Sequence, residues 1–326
     1  MFTLYILIHG IIVPGDIMIV LHSPFYPMEP ETFPRPFDDP DFGFQIKWDG
    51  TRILAHVSGE VKLFNRKKKS RTLQYPEIAS SLFDIFKGRS LVLDGEIITL
   101  VNGKPSFQQL MRRDWASDPT MIKYLTSQIP VTYVVFDILY LDGDELVNLT
   151  FQERDRLLKS LIPSKDPVVV TDTFPLRGTT LFDVVKQRGL EGIVAKRLDS
   201  RYEMGKKSDK WLKIKNKRLI NARIGGYLAE GRKVRSLLLG IFQDGDFIYM
   251  GRAGSGLKVS ESRALYDLLS KSRVAACPFN TMPPLAAREK PCWVEPRLEI
   301  QVEYLDFTDE GYLRHPVIKG VDFDSV

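Results

Sequence analysis

The sequence predicts an α+β chain of two domains: antiparallel sheets with helices first, then a small β-barrel. Three observations predict it. The chain has 326 residues, about two domains' worth. Up to residue 219, strand-like alternation is interleaved with amphipathic helices. Beyond Asn216 the texture shifts to short strands and one helix, the pattern of a barrel of about 100 residues. The expected segments are therefore 1–22 as an N-terminal extension, 23–219 as the first domain and 220–326 as the second.

The elements follow in order. Phe2 to Val13 is mostly apolar, but too short to span a bilayer and without a cationic start. Met18 precedes a more typical opening, so residues 1–17 read as an over-called start. Residues 24–40 hold six prolines and read as an irregular lead-in, because proline cannot donate to a ladder. Strands are expected at Gly43–Trp48, Thr51–Val57, Val61–Asn65, Leu91–Leu100 and Thr132–Leu141. Asp49-Gly50 and Asp142-Gly143 mark turns, the first read as a hairpin. Helices are expected at Pro76–Lys87, Glu153–Leu161 and Leu181–Arg188, and strands return at Gly192–Lys196 and Trp211–Lys215. The second domain reads as strands Arg223–Leu228, Ser236–Gln243, Phe247–Arg252 and Leu298–Leu305, with a helix near Ser260–Ser270.

Net charge is only +5, with a pI near 9.0, but it is unevenly placed. Residues 61–71 carry six cations and no acid, and residues 196–235 carry 14 Lys/Arg against four acids. Two dense cationic runs on an otherwise acidic chain favour a polyanion partner. Cys277 and Cys292 are too few for a disulfide framework, so free thiols in a reducing, cytoplasmic setting are expected. No membrane partner and no self-complementary feature is visible, so a monomer is expected.

Five segments carry chemistry. Lys47-Trp48-Asp49-Gly50-Thr51-Arg52 places a lysine at a strand end, where nearby cations and desolvation favour a neutral, nucleophilic amine. By itself it is also an ordinary exposed lysine beside a hairpin. Leu93-Asp94-Gly95-Glu96-Ile97 puts a carboxylate on an apolar strand, either functional or on an edge facing water. Val135-Phe136-Asp137-Ile138-Leu139-Tyr140 offers an aromatic ring that could stack on a purine or sit in a core. Leu190-Glu191-Gly192-Ile193-Val194-Ala195-Lys196-Arg197 opens a strand with a carboxylate suited to magnesium beside phosphate. Trp211-Leu212-Lys213-Ile214-Lys215 turns two ammoniums to one face, as a phosphate clamp requires.

Each segment is weak alone. In this order the chain resembles the ATP-dependent DNA ligases of the covalent nucleotidyltransferase superfamily, and most of all the ligase module of bacterial non-homologous end-joining proteins. Pro296–Tyr304, Gly311-Tyr312-Leu313-Arg314-His315-Pro316 and Lys319-Gly320 resemble the closing segment of the end-joining type. The resemblance implies an adenylation domain followed by an OB-fold barrel. It implies ATP with Mg2+ or Mn2+, a nicked or broken duplex DNA substrate and a Ku-like end-binding partner.

It also assigns roles. Lys47 would attack the α-phosphate and carry AMP; Gln45 and Ile46 would adjoin the base; Arg52 and Arg66 would contact nucleotide and the 5′-phosphate strand. Glu96 would hold the ribose and, with Glu191, the metal. Phe136 would stack on adenine, and Lys207, Lys213 and Lys215 would hold phosphate. Arg314 and Lys319 would orient departing pyrophosphate as the barrel closes. Two positions depart from the family: Gln45 stands where a glutamate is usual, its amide oxygen still able to accept from adenine's amino group, and Lys207 where arginine is common. An RNA ligase, a capping guanylyltransferase and a non-catalytic nucleic-acid-binding protein stand as the alternatives.

Overall fold

A computed structural model describes residues 18–163, 166–308 and 310–321. The extension expected over residues 1–17 lies outside them. The chain divides into two compact units, one ending at Asn216 and the other starting at Lys217.

The first unit contains a two-stranded ribbon, Leu100–Val101 with Lys104–Pro105, and two large sheets. The smaller has the order Glu29–Thr32, Lys207–Lys215, Gly192–Arg197, Phe42–Lys47, Phe174–Pro175. The larger runs Val168–Val170, Thr132–Leu141, Leu91–Ile98, Thr51–Ser58, Glu60–Asn65. Pairing is mostly antiparallel, but Glu29–Thr32 and Val168–Val170 join as parallel outer strands. Glu29–Thr32 falls in the stretch expected to be irregular. An outer strand tolerates Pro30, whose missing N–H need not face a partner.

Asp49-Gly50 does not make a hairpin. Phe42–Lys47 belongs to the smaller sheet and Thr51–Ser58 to the larger, so the turn carries the chain between sheets. Close approach demands glycine there: a Cβ on Gly50 would meet the Ile97 carbonyl oxygen at 2.0 Å. Between the sheets Leu54, Val92 and Leu139 from one pack with Trp211 from the other.

Helix Pro76–Ile85 starts on proline and buries Ile78 and Leu82 in the core beneath the larger sheet. Phe151–Leu161 starts with a capping box from Thr150 and Glu153. Gly178–Gln187 covers the smaller sheet through Leu181 and Val185. Two helices were not expected, Phe107–Asp114 and Pro119–Gln128. Ser106 and Asp118 cap them, each accepting from a backbone N–H three residues on.

The second unit is a sheet in the order Asp246–Ala253, Val234–Gln243, Arg218–Ala229, Glu299–Tyr304, Val317–Val321, with helix Val259–Leu269 against it. Tyr227, Leu237, Leu265, Ile300 and Val302 form its core. The expected barrel is not shown: no ladder closes this sheet among the described residues, although an isolated parallel bridge joins Ser255 to Val317.

Buried charges tie the first unit together. Arg154 reaches Asp137 through two hydrogen bonds, Nε to Oδ1 at 2.7 Å and a terminal nitrogen to Oδ2 at 3.0 Å, and both side chains are wholly buried. Removing one partner leaves a buried charge uncompensated. Arg154→Ala is expected to destabilise the first unit by ~3–5 kcal/mol, read as a lowered urea midpoint by tryptophan fluorescence; an unchanged midpoint would contradict the packing described.

Candidate active site

A cavity of about 660 Å³ opens in the first unit. Gln45, Ile46, Lys47, Arg52, Arg66, Glu96, Phe136 and Lys213, all singled out from sequence, line it. Its size suits a nucleotide-sized ligand.

Lys47 ends its strand opposite Gly192. That register puts the Lys47 amine beside Glu191, the residue before Gly192: Nζ donates to Oε2 at 2.6 Å. Lys215, also paired with Gly192, approaches Glu191 Oε1 at 3.5 Å. The lysine therefore has a carboxylate counter-charge in contact, which the cationic surroundings read from the sequence did not include. Lys213 alternates with Lys215 on the same face, with Ile214 in the core between them. Burial, then repulsion from Lys215, Lys47 and Lys207, pulls the Lys213 ammonium below its ordinary range. Lys207 starts this strand and is not part of the cavity lining.

Glu96 lies on a central strand, not an edge. Burial pushes its carboxyl up to about 8; Glu191 and Asp49 add to this, and Lys47 and Arg52 oppose it. Arg52 is held by Asp94, with Nε donating to Oδ1 at 2.9 Å and a terminal nitrogen to Oδ2 at 2.6 Å. Burial works against the Arg52 charge, but Asp94, Tyr202 and Glu96 together outweigh it and raise the guanidinium above its ordinary value. Its planar group sits 5.4 Å from the Phe136 ring and 5.8 Å from Trp211. Arg66 is largely exposed at the rim and pairs with Glu29 at 3.4 Å. Lys67, Lys69 and Arg71 from the first cationic run line the same mouth, near the exposed Trp115.

Lys196 and Trp211 fall within the sequence motifs without a role that the motifs reveal, and both line the cavity. Lys196 is only 2% exposed. Its amine donates to the Phe136 carbonyl at 2.9 Å and sits 4.0 Å from Trp211, 4.5 Å from Phe136 and 4.7 Å from Phe151 ring centroids. Burial pulls it down to about 7, with Asp137 and Asp94 opposing. The signal was available: Val194 and Lys196 alternate onto one face, so a lysine occupies an inward position of an apolar strand.

Among the described residues no cluster of three or more acidic, histidine or cysteine side chains could cage a metal. Glu191 and Glu96 still fit magnesium, which takes one or two carboxylates and completes its shell with phosphate and water. In the second unit, Lys319 and Lys217 both pair with Glu303, at 3.3 and 2.8 Å, and the Arg314 backbone bonds Leu305 and Asp306.

Against known proteins, a family model described as ATP dependent DNA ligase domain matches residues 28–215. One described as ATP dependent DNA ligase C terminal region matches residues 230–325. The multifunctional non-homologous end joining DNA repair protein LigD of Mycobacterium tuberculosis is 34% identical over 292 residues, covering 87% of this chain and 36% of that protein. A DNA ligase of Thermococcus fumicolans is 32% identical over 279 residues, covering 80% of this chain and 47% of its own. The chain thus spans between a third and a half of these relatives. The crystal structure of the ligase domain from M. tuberculosis LigD shares 31% identity at a TM-score of 0.56, covering 94% of this chain and 97% of that one.

Glu96 gives a pH test. Its folded carboxyl holds a proton up to about 8, against 4.5 ordinarily, so the native state binds more protons than the unfolded one. Stability falls as pH rises through that window. Relative to Glu96→Gln, the wild type should lose stability between pH 4.5 and about 8, measured as paired urea midpoints; a constant difference would place Glu96 in open water.

Proposed function

The chain belongs to the ATP-dependent DNA ligases, and on that footing we propose that it joins a 5′-phosphate to a 3′-hydroxyl in duplex DNA through an adenylate carried on Lys47. The observation that carries this reading is one amine, at a strand end, facing a nucleotide-sized cavity with Lys213 in its wall and Glu191 and Lys215 at its side.

The chemistry asks for positioning and charge neutralisation. The neutral Lys47 amine attacks the α-phosphorus of ATP; the N–P bond forms as the bond to pyrophosphate breaks, and the nitrogen releases a proton to solvent. To do so Lys47 leaves its contact with Glu191. Lys213 and Lys215 take phosphate oxygens, with Lys207 adding charge at the strand's start. Phe136 stacks on adenine, Gln45 and Ile46 border the base, and Glu96 meets the ribose. Glu191 and Glu96 would hold a magnesium or manganese ion, which supplies charge neutralisation at the phosphates when bound. Arg66 and the neighbouring cations meet the DNA backbone, and Arg52, held by Asp94, backs the nucleotide wall. AMP then passes from Lys47 to the DNA 5′-phosphate, and the 3′-hydroxyl displaces it.

We read the second unit as an OB-type barrel, with Arg314 and Lys319 orienting pyrophosphate. The end-joining role named for the LigD relatives is the reading preferred for this chain, with broken and nicked duplexes as substrates.

The test is sealing of a labelled nicked duplex with ATP and magnesium. Wild type should seal it. Lys47→Ala and Lys47→Arg should both lose sealing by at least ~10³-fold, since guanidinium is no nucleophile at neutral pH. Sealing of nicked RNA alone would move the reading to RNA ligase, and sealing by Lys47→Ala would remove Lys47 from the chemistry.

A further inference from the structure

We propose that Thr173 and Asp155 are positioning residues that set which way the Gln45 amide faces, and so make the site selective for a 6-amino purine. The inference rests on the nucleotide-binding reading above. Gln45 is 2% exposed and lines the cavity. Its Nε2 donates to Thr173 Oγ1 at 2.9 Å. Thr173 Oγ1 in turn donates to Asp155 Oδ1 at 2.8 Å, and Asp155 Oδ2 accepts from Lys159 at 2.7 Å.

The polarity of this chain is forced. A carboxylate only accepts, so the single Thr173 proton is spent on Asp155. Toward Gln45, Thr173 can then only accept, which turns the amide nitrogen to it and leaves Oε1 for a cavity ligand. An acceptor there bonds adenine's exocyclic amine and opposes guanine's carbonyl oxygen. Packing keeps the hydroxyl in place: a Cβ on Gly43 would meet the Thr173 methyl at 2.6 Å. The same relay accounts for a glutamine where the family usually has glutamate. A carboxylate at 45 would face a hydroxyl whose proton Asp155 already holds, setting two acceptors against one donor.

The experiment measures Lys47-dependent labelling from α-labelled ATP and GTP, using the full chain. Wild type should prefer ATP. Thr173→Val should lower the ATP-to-GTP preference by about tenfold, the scale of one hydrogen bond, while Thr173→Ser keeps it. Gln45→Glu should lose labelling, and Gln45→Glu combined with Asp155→Asn should regain it. The amide introduced by Asp155→Asn can donate to Thr173, which frees the hydroxyl proton for the carboxylate introduced by Gln45→Glu. General damage to the fold would not produce that reciprocal rescue. A wild-type preference in Thr173→Val with native tryptophan fluorescence, or a double variant no better than Gln45→Glu, overturns the relay. No labelling of wild type after pyrophosphate treatment overturns the ligase reading itself.

Discussion

The backbone pairing of Lys47 with Gly192 is the constraint on which the site depends. It sets Lys47 in contact with Glu191, a residue 144 positions away. Gly192 also pairs with Lys215, so one glycine registers three strands and gathers two amines around one carboxylate. Side-chain alternation then places Lys213 on the cavity wall without any further device. A one-residue slip in either ladder would turn the lysines into the core and Ile214 into the cavity.

Holding so many charges in one place has a structural consequence. Asp94, Asp137, Arg154 and Lys196 are all buried, and each is matched by a partner whose removal would leave it exposed to the low-dielectric interior. Asp94 fixes Arg52, Asp137 fixes Arg154, and the Phe136 carbonyl with three aromatic rings receives Lys196. Tyr202 adds a hydrogen bond to Asp94 at 2.6 Å. This network packs behind the aromatic wall of the cavity formed by Phe136 and Trp211. Groups held by such partners bind charge without reorganising around it.

Much of this was legible in the sequence, and for a physical reason: strand alternation and turn residues are local signals. The Lys47 strand to within one residue at each end, the face shared by Lys213 and Lys215 opposite the core residue Ile214, and the helix opening at Pro76 followed from them. Most of what escaped was set by distant partners. Pro30 reads as a strand breaker because local sequence does not show that its strand is an outer one. Asp49-Gly50 read as a hairpin because a two-residue turn does not reveal that its strands join different sheets. Helices Phe107–Asp114 and Pro119–Gln128 carry cap signals in Ser106 and Asp118 and apolar residues at helical spacing, Phe107, Leu110 and Met111 in one and Ile122 and Leu125 in the other, so they were legible and were missed. Glu191 as the lysine's counter-charge, and Thr173 behind Gln45, are contacts across more than 100 residues that no local pattern encodes.

The measurement that tests the account most directly is the position of the nucleotide on the protein. The chain is treated with pyrophosphate, incubated with ATP and magnesium, digested, and its peptides read by mass spectrometry. The account predicts an AMP adduct on the Lys47 side chain and on no other lysine of the cavity. An adduct on Lys196, Lys213 or Lys215, or none on Lys47 while the protein seals DNA, would contradict it.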